Sequence, residues 1–544
     1  MNLLRATGTI GGLTLISRVL GLVRDSLFAR YVGASFASDA FLVAFRLPNM
    51  FRALFAEGAF SSAFIPMFNQ KVGDANRPGP ERPGAQGRAV TGDGVKGNGL
   101  AEGLVFAEQA LAVLLPVLVF MTVLLEVFAW PVTLMLSGKF NGVSPREFDF
   151  AVSLSRMTIP YLMLISLVSL FGGILNSLNK FWVNAAAPIL LNLTLIFALV
   201  VFHNHDPMMT ARNQAIAVSV SGALQLAWLG WACRQNGIKL RLRWPRLNPQ
   251  VKRLMVLILP AAAGAGAAQI NLVISTALAA SLLAHGSVTY IYMADRLNQL
   301  PLGLIGIGLG TVLLPTISRQ LAAGEDLAAL DTQNRGMELA LLLTLPATAA
   351  LVVCGEPIAA ALFGYGRYTP ADTHYTAQAL AAFSIGLPSY ILVKVLTPGF
   401  YARQDTRTPL RFALISMAVN LVGNLVLIVP LQHIGPPLAT AIASTVNVWM
   451  LYHRLVRRGH FIADRRLRRR APRLLLAALA MGAVLWRGQI LIMPYVHGSW
   501  VMRFAALGAL VTGGMVVYGL ATVIMGAFSR DDIAMLIRRR AKSA

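Results

Sequence analysis

About fourteen stretches of roughly twenty apolar residues run through the chain, each long enough to cross the ~30 Å hydrocarbon core of a bilayer as a helix. They fall near residues 10–32, 36–66, 104–129, 150–176, 184–203, 213–233, 253–281, 288–317, 336–354, 375–400, 410–430, 436–456, 472–493 and 500–526. Within lipid every backbone amide and carbonyl needs an internal partner, so continuous apolar spans of this length fold as helices. Composition agrees: 56% of the 544 residues are hydrophobic and 13% are charged, about half the charged share of a soluble domain. The expected fold is all-α and polytopic, a bundle of about 14 transmembrane helices.

Charge distribution gives an independent test of the count, because Lys and Arg collect in cytoplasmic loops. With the N-terminus inside, alternate loops hold Lys71 to Lys96, Arg234 to Arg253, Arg403 to Arg411, Arg454 to Arg473 and the Arg538 to Lys542 tail. About 33 of the 47 basic residues lie on that side, about 6 on the other and about 8 within spans. Both termini are therefore expected in the cytoplasm, with an even number of spans. Topology accounts for the net charge of +24, and nucleic acid is excluded as a partner because the basic residues are spread over many loops without interleaved aromatics. The run Arg465 to Arg470 is expected to meet anionic membrane lipid at the inner surface. Arg5 before an apolar run has the look of a secretory signal, yet Arg18, Arg24 and Asp25 interrupt that run, so a retained helix is expected. Cys233 and Cys354 form neither a disulfide framework nor a metal cluster, and His203 and His205 read as a solvated outer loop, so no metal or cofactor is expected.

An internal repeat is visible once the spans are numbered. Arg46-Leu47, Pro66 and Gln70 of the second span recur as Arg296-Leu297, Pro315 and Gln320 of the eighth, offset by about 250 residues. Pro160 and Asn192 recur as Pro388 and Asn420, offset by about 228, and the Gly- and Pro-rich stretch from Gly73 to Gly99 accounts for the difference. A separation of six spans gives both halves the same orientation, so the expected plan is two parallel-repeat six-helix lobes plus two C-terminal helices. The corresponding domains are an N-terminal lobe over 1–233 with a flexible cytoplasmic loop at 71–100, a C-terminal lobe over 234–458, and 459–544 for the last two helices and a basic tail. Transporters of this plan bind substrate near the midplane.

Five arginines lie inside these spans: Arg18 and Arg24 in the first, Arg46 and Arg52 in the second, and Arg296 in the eighth. Each costs roughly 2.5–3.5 kcal/mol at a helix centre on insertion scales, so five imply a hydrated cavity or an anionic ligand. On a continuous second helix Asp39, Arg46 and Glu57 lie within about 20° of one direction and Ser61 about 40° away, a polar stripe facing inward. Arg52 lies off that stripe unless Pro48 bends the axis. Arg18 and Asp25 share a face of the first helix, and Arg24 points elsewhere. The competing reading is that arginines pair with Asp25, Asp39, Glu57 or Asp295 and hold helices together, although apolar packing would do that at lower cost than five ion pairs. Guanidinium groups bind phosphate bidentately and stay charged, so a diphosphate is the natural ligand. Gly264 and Gly266, and the series Gly303, Gly306, Gly308 and Gly310, allow either bending or close helix packing in the seventh and eighth spans.

The runs Ser17-Arg-Val-Leu-Gly-Leu-Val-Arg-Asp25, Ser38-Asp-Ala-Phe, Arg46-Leu-Pro-Asn, Phe55-Ala-Glu-Gly-Ala-Phe60, Ala294-Asp-Arg-Leu297 and Lys394-Val-Leu-Thr-Pro-Gly-Phe-Tyr-Ala-Arg-Gln-Asp405 closely resemble the MurJ (MviN) family, over essentially the whole chain. The resemblance implies a lipid II flippase of the multidrug/oligosaccharidyl-lipid/polysaccharide exporter superfamily, in the bacterial inner membrane. Such a protein moves an undecaprenyl-diphosphate-linked disaccharide-peptide from the cytoplasmic to the periplasmic leaflet for cell wall synthesis. It implies that Arg18, Arg24, Arg52 and Arg296 line the cavity, that Asp39 matters, and that the last two helices form a groove for the lipid tail. Arg46, Glu57 and Ser61 join the substrate-binding set from the stripe argument, and Asp25 and Asp295 are expected in helix pairing or gating. Gln299 and Ala53 depart from the family, where some relatives carry an acidic and a basic residue. Transport would couple to membrane potential or to a monovalent cation, for which Asn420, Asn424 and Thr440 offer oxygens without a carboxylate. A cation-coupled drug exporter shares the architecture but suits an acidic or apolar cavity, and a flippase for another polyprenyl-diphosphate glycan would use similar arginines. A membrane enzyme would need carboxylates or histidines clustered at a membrane face, and none is evident, so no enzyme is expected.

Overall fold

The computed structural model describes residues 3–55, 59–74, 92–496 and 498–527. Glu57, most of the expected loop and the Arg538 to Lys542 tail lie outside the described residues. The chain forms two compact units, Met1–Ala277 and Leu278–Ala544. The first contains α1 (Leu3–Val32), α2 (Phe36–Phe55), α3 (Ala59–Asp74), α4 (Gly92–Val127), α5 (Ala129–Ser137), α6 (Pro145–Thr158), α7 (Pro160–Ser177), α8 (Phe181–Val201), α9 (Pro207–Gln235) and most of α10 (Pro249–Leu282). The second contains α11 (Ser287–Ala322), α12 (Asp326–Val353), α13 (Gly355–Phe363), α14 (Pro370–Ile385), α15 (Leu387–Tyr401), α16 (Arg407–Leu431), a 3-10 turn Gln432–Ile434, α17 (Gly435–Arg457), α18 (Arg465–Val496) and α19 (Trp500–Ile524).

The protein is an all-α, multi-pass membrane protein. Ten segments among the described residues are long and apolar enough to span a bilayer, and one of them, Arg407–Arg457, comprises both α16 and α17. Taking α6–α7 and α14–α15 each as one broken span and α2 with α3 as one span, and setting aside the nine-residue α5 and α13, leaves the order expected of fourteen. The spans outside the ten are α1, α2–α3 and α10, and the first two carry Arg18, Arg24, Asp25, Asp39, Arg46 and Arg52.

In the second span residues 36–55 and 59–74 are helical, which places Asp39, Arg46 and Arg52 on α2 and Ser61 on α3, and the three residues that join them lie outside the described ones. The breaks at α6–α7 and α14–α15 have a local cause, because Pro160 and Pro388 lie at the first turn of α7 and α15, where a missing amide donor costs least.

The repeat extends to local chemistry. In each unit a nine-residue helix, α5 or α13, precedes a capping box that opens the next helix, Ser144 with Glu147 for α6 and Thr369 with Asp372 for α14. Both boxes place proline after the capping hydroxyl, which presets the first helical dihedral. They sit about 225 residues apart, close to the offset of the Pro160 and Pro388 pair.

Cores differ in material. In the first unit Tyr161, Leu162, Leu170, Ile174 and Leu175 of α7 are fully buried, and Phe60, Phe64 and Phe68 of α3 form a ladder that Phe106 of α4 joins, with centroids 5.2–5.7 Å apart. In the second unit Ile391, Val395, Leu396 and Phe400 of α15 pack with Ile305, Leu309, Leu313 and Ile317 of α11. Lipid tails are as apolar as these side chains, so dispersion and close fit hold the helices together rather than exclusion of water. Large apolar side chains remain exposed along α4 (Val117, Phe120, Val123, Val127) and α16 (Val422, Leu425, Val426, Val429), as a lipid-facing surface requires.

Candidate functional site

The charged groups of α1 are organised around Arg24. Its Nε and Nη2 donate to Asp25 Oδ1 at 3.0 and 2.7 Å, and Nη1 donates to Asn192 Oδ1 of α8 at 3.1 Å. Asn192 Nδ2 donates back to the Ser17 carbonyl of α1 at 2.9 Å, so one amide fastens α8 to two turns of α1. Arg24 and Asp25 are both buried. A wheel that separates them by 100° is overridden by the reach of the arginine stem, which brings the guanidinium back across the helix. Sequence reasoning used Asn192 only as a marker of the repeat. Its signal as a partner was a buried amide inside the apolar helix α8, a group that needs a hydrogen bond.

On α2, Asp39 is buried in the first turn, where the helix dipole favours a carboxylate. Ser38 Oγ accepts from Ser35 N at 2.9 Å and donates to the Ser35 carbonyl at 2.8 Å, closing the turn that enters the helix. Arg46 Nη2 donates to Thr276 Oγ1 of α10 at 2.6 Å, and Arg52 Nε donates to Asn49 Oδ1 at 3.1 Å. Arg18 is exposed on α1 and Ser61 is half-buried on α3.

In the second unit Arg296 Nη2 donates to Tyr292 Oη at 2.8 Å, and its guanidinium carbon lies 4.8 Å from the same ring's centroid. The i, i+4 spacing made that pair legible in the sequence. Gln299 Nε2 donates to Asp295 Oδ2 at 2.5 Å, so the amide at this position engages the carboxylate one turn before it. Gly306 meets Lys394 of α15: a β-carbon there would lie 2.6 Å from Nζ, which makes it a close-approach glycine. Asn424 Nδ2 donates to Asn420 Oδ1 and Asn420 Nδ2 donates to Thr440 Oγ1, both at 3.0 Å, a hydrogen-bonded chain between α16 and α17.

Two further features of the second unit complete the picture. An apolar cavity of about 530 Å³ lies among α12, α18 and α19, bordered by Leu343, Pro346, Met481, Leu485, Val511 and Met515. In the loop before α16, Asp405 accepts from Thr408 N at 3.0 Å, Thr408 Oγ1 at 2.7 Å and Arg458 Nη1 at 2.5 Å. The Thr408 backbone amide, then its hydroxyl and Arg458, hold the Asp405 carboxyl well below the usual carboxylate range. Burial, then the nearby Arg403 and Arg458, push the His460 imidazole below its ordinary value.

Broken helical spans in two repeated units, with cationic groups set inside them, define a polytopic membrane transporter. The fold matches a solved structure titled lipid II flippase MurJ, inward closed conformation, with a TM-score of 0.74 at 22% identity over 95% of this chain and 98% of that one. It also matches an inward-facing multidrug resistance MATE family transporter of the MOP superfamily, with a TM-score of 0.63 at 13% identity over 81% and 95%. The family model for lipid II flippase MurJ matches residues 28–506, and the chain belongs to that family. A probable lipid II flippase MurJ of Rhizobium tropici is 37% identical over all of this chain and 97% of its own length, and the lipid II flippase MurJ of Burkholderia cenocepacia is 36% identical over 84% and 85%.

Proposed function

We propose that this chain is a lipid II flippase, carrying an undecaprenyl-diphosphate-linked disaccharide-peptide from the cytoplasmic to the periplasmic leaflet by alternating access. The observation that carries this reading is the family match over residues 28–506. Arg18, Arg24 and Arg52 of the first unit and Arg296 of the second are the proposed diphosphate ligands, since a guanidinium fork matches two phosphate oxygens. Arg24 acts from its ion pair with Asp25, which keeps its guanidinium aimed, while Arg18 supplies positive charge at the exposed surface of α1. Asp39, Arg46 and Ser61 complete the polar lining, and the cavity among α12, α18 and α19 takes part of the prenyl chain. Both termini face the cytoplasm, as the basic loops require. Moving two negative charges toward a positive exterior gains up to ~4.6 kcal/mol per 100 mV, so membrane potential drives the cycle in the useful direction. Enzymes of cell wall synthesis then consume the delivered precursor.

The test is rescue of a bacterium depleted of its own lipid II flippase, with the wild type compared against Arg18→Ala, Arg52→Ala and Arg296→Ala at matched membrane levels. Rescue by the wild type and loss in the variants is the expected result. A well-expressed wild type that fails to rescue overturns the substrate, and normal transport by both Arg18→Ala and Arg296→Ala overturns the arginine clamp.

A further inference from the structure

The segment joining α9 to α10, residues 236–248, has properties that a connecting loop does not need. It runs Ile238-Lys-Leu-Arg-Leu-Arg-Trp-Pro-Arg-Leu-Asn248 without helix, and its apolar and basic residues alternate from Leu240 to Trp244. Glu108, buried at 5% exposure in the apolar helix α4, spends both carboxylate oxygens on it. Oε1 accepts from Arg241 N at 2.9 Å and Oε2 from Arg243 Nε at 2.6 Å. Gln109 Oε1 accepts from Asn248 Nδ2 at 2.6 Å, while Asn248 Oδ1 caps α10 through Val251 N at 2.8 Å. Ile238 is fully buried at the other end. The strap is thus fixed along its length, yet Leu242, Trp244 and Leu247 stand 69%, 83% and 74% exposed.

Two observations say what covers them. Trp182 of α8 and Trp228 and Trp231 of α9 form a cluster with centroids 6.0 and 5.3 Å apart, at the helix ends that adjoin the strap. Tryptophans concentrate at the level of the head groups, so the cluster marks that depth. Lys239, Arg241 and Arg246 are exposed, and no acidic residue occurs between Asp206 and Asp295. We propose that residues 239–247 form a membrane-surface anchor, in which Leu242, Trp244 and Leu247 seat in the interfacial region of the leaflet and Lys239, Arg241 and Arg246 hold anionic phospholipid head groups. Glu108 presents the strap by taking Arg243 to the protein side and leaving the apolar residues to the lipid. A basic, aromatic segment gains from both the hydrophobic and the electrostatic attraction of such a surface. The assignment of that leaflet as cytoplasmic rests on the orientation proposed above.

The experiment uses the full chain with Cys233→Ala and Cys354→Ala, carrying Trp244→Cys labelled with an environment-sensitive fluorophore. It is reconstituted in phosphatidylcholine with or without phosphatidylglycerol, and in lipids bearing a nitroxide near the head group. The expected result is quenching at 244 by the nitroxide lipid, shielding from aqueous iodide, and deeper seating with phosphatidylglycerol. Arg241→Gln and Arg246→Gln should each lower the seated-to-lifted ratio roughly fivefold. Iodide access equal to that of Asn141→Cys, a label in the loop before α6, overturns the anchor, and so does a label shielded only in native membranes, which means that a protein covers it. Indifference to phosphatidylglycerol overturns the head-group contacts. Labelling of Asn236→Cys in intact cells by an impermeant maleimide reads orientation separately, so a failed orientation is not mistaken for a failed anchor.

Discussion

Arg24 and Arg18 look alike in sequence and differ in situation. Arg24 is buried against Asp25 and Asn192, and Arg18 is exposed on the same helix. Withdrawing one partner of a buried ion pair costs about 3–5 kcal/mol. Asp25→Ala is therefore expected to lower the thermal unfolding midpoint of the purified protein along with transport, whereas Arg18→Ala should abolish transport at an unchanged midpoint. An equal midpoint for both variants would remove the distinction. Asp405 yields a prediction with a sign. Its carboxyl is held below the usual range, so the stabilisation is fully present above the unfolded value near ~3.9 and is lost as pH falls from there through the folded value. The stability gap between wild type and Asp405→Asn should stay constant from neutral pH to about 5 and close only in stronger acid, as thermal unfolding across pH would read. The identity and spacing of the intramembrane arginines were legible in the sequence. Their partners were not, because Asn192 and Thr276 lie far along the chain and reach Arg24 and Arg46 only through helix packing.

At the scale of elements, α18 shows how packing divides a basic run. Glu338 of α12 takes Arg466 at 3.1 Å together with Arg470 and Arg335, and Arg335 in turn reaches Asp464. Arg465, Arg468 and Arg469 stay exposed on the other side. The run from Arg465 to Arg470 thus has a face that fastens α18 to α12 and a face turned to solvent or lipid head groups. Glu338→Ala is expected to cost about 3–5 kcal/mol and to raise amide hydrogen exchange in the first turns of α18 while α16 keeps its protection. Uniform protection in both helices would contradict the tie. Sequence periodicity placed this helix, but which arginines turn inward depends on a carboxylate more than a hundred residues earlier.

Across the whole molecule, the repeated capping boxes, short helices and proline breaks give two units of common design. If transport carries net negative charge outward, proteoliposomes with an imposed potassium diffusion potential should run faster when the compartment facing the basic loops is negative, and slower on reversal. Rates that ignore the sign would exclude potential as the driver. By itself the sequence determined the all-helical membrane class, the number and order of spans, the repeat and the concentration of arginines, and its motifs pointed to the family. Those properties follow from local rules: hydrocarbon thickness sets span length, unpaired backbone forces helix, and proline and capping residues act within a turn. Only the tertiary structure decided that Arg24 is paired, that Glu108 and Glu338 serve as fasteners and that an apolar cavity opens beside α18 and α19. Such pairings join residues distant in sequence, and the free energy of a buried charge is set by the neighbours that packing supplies.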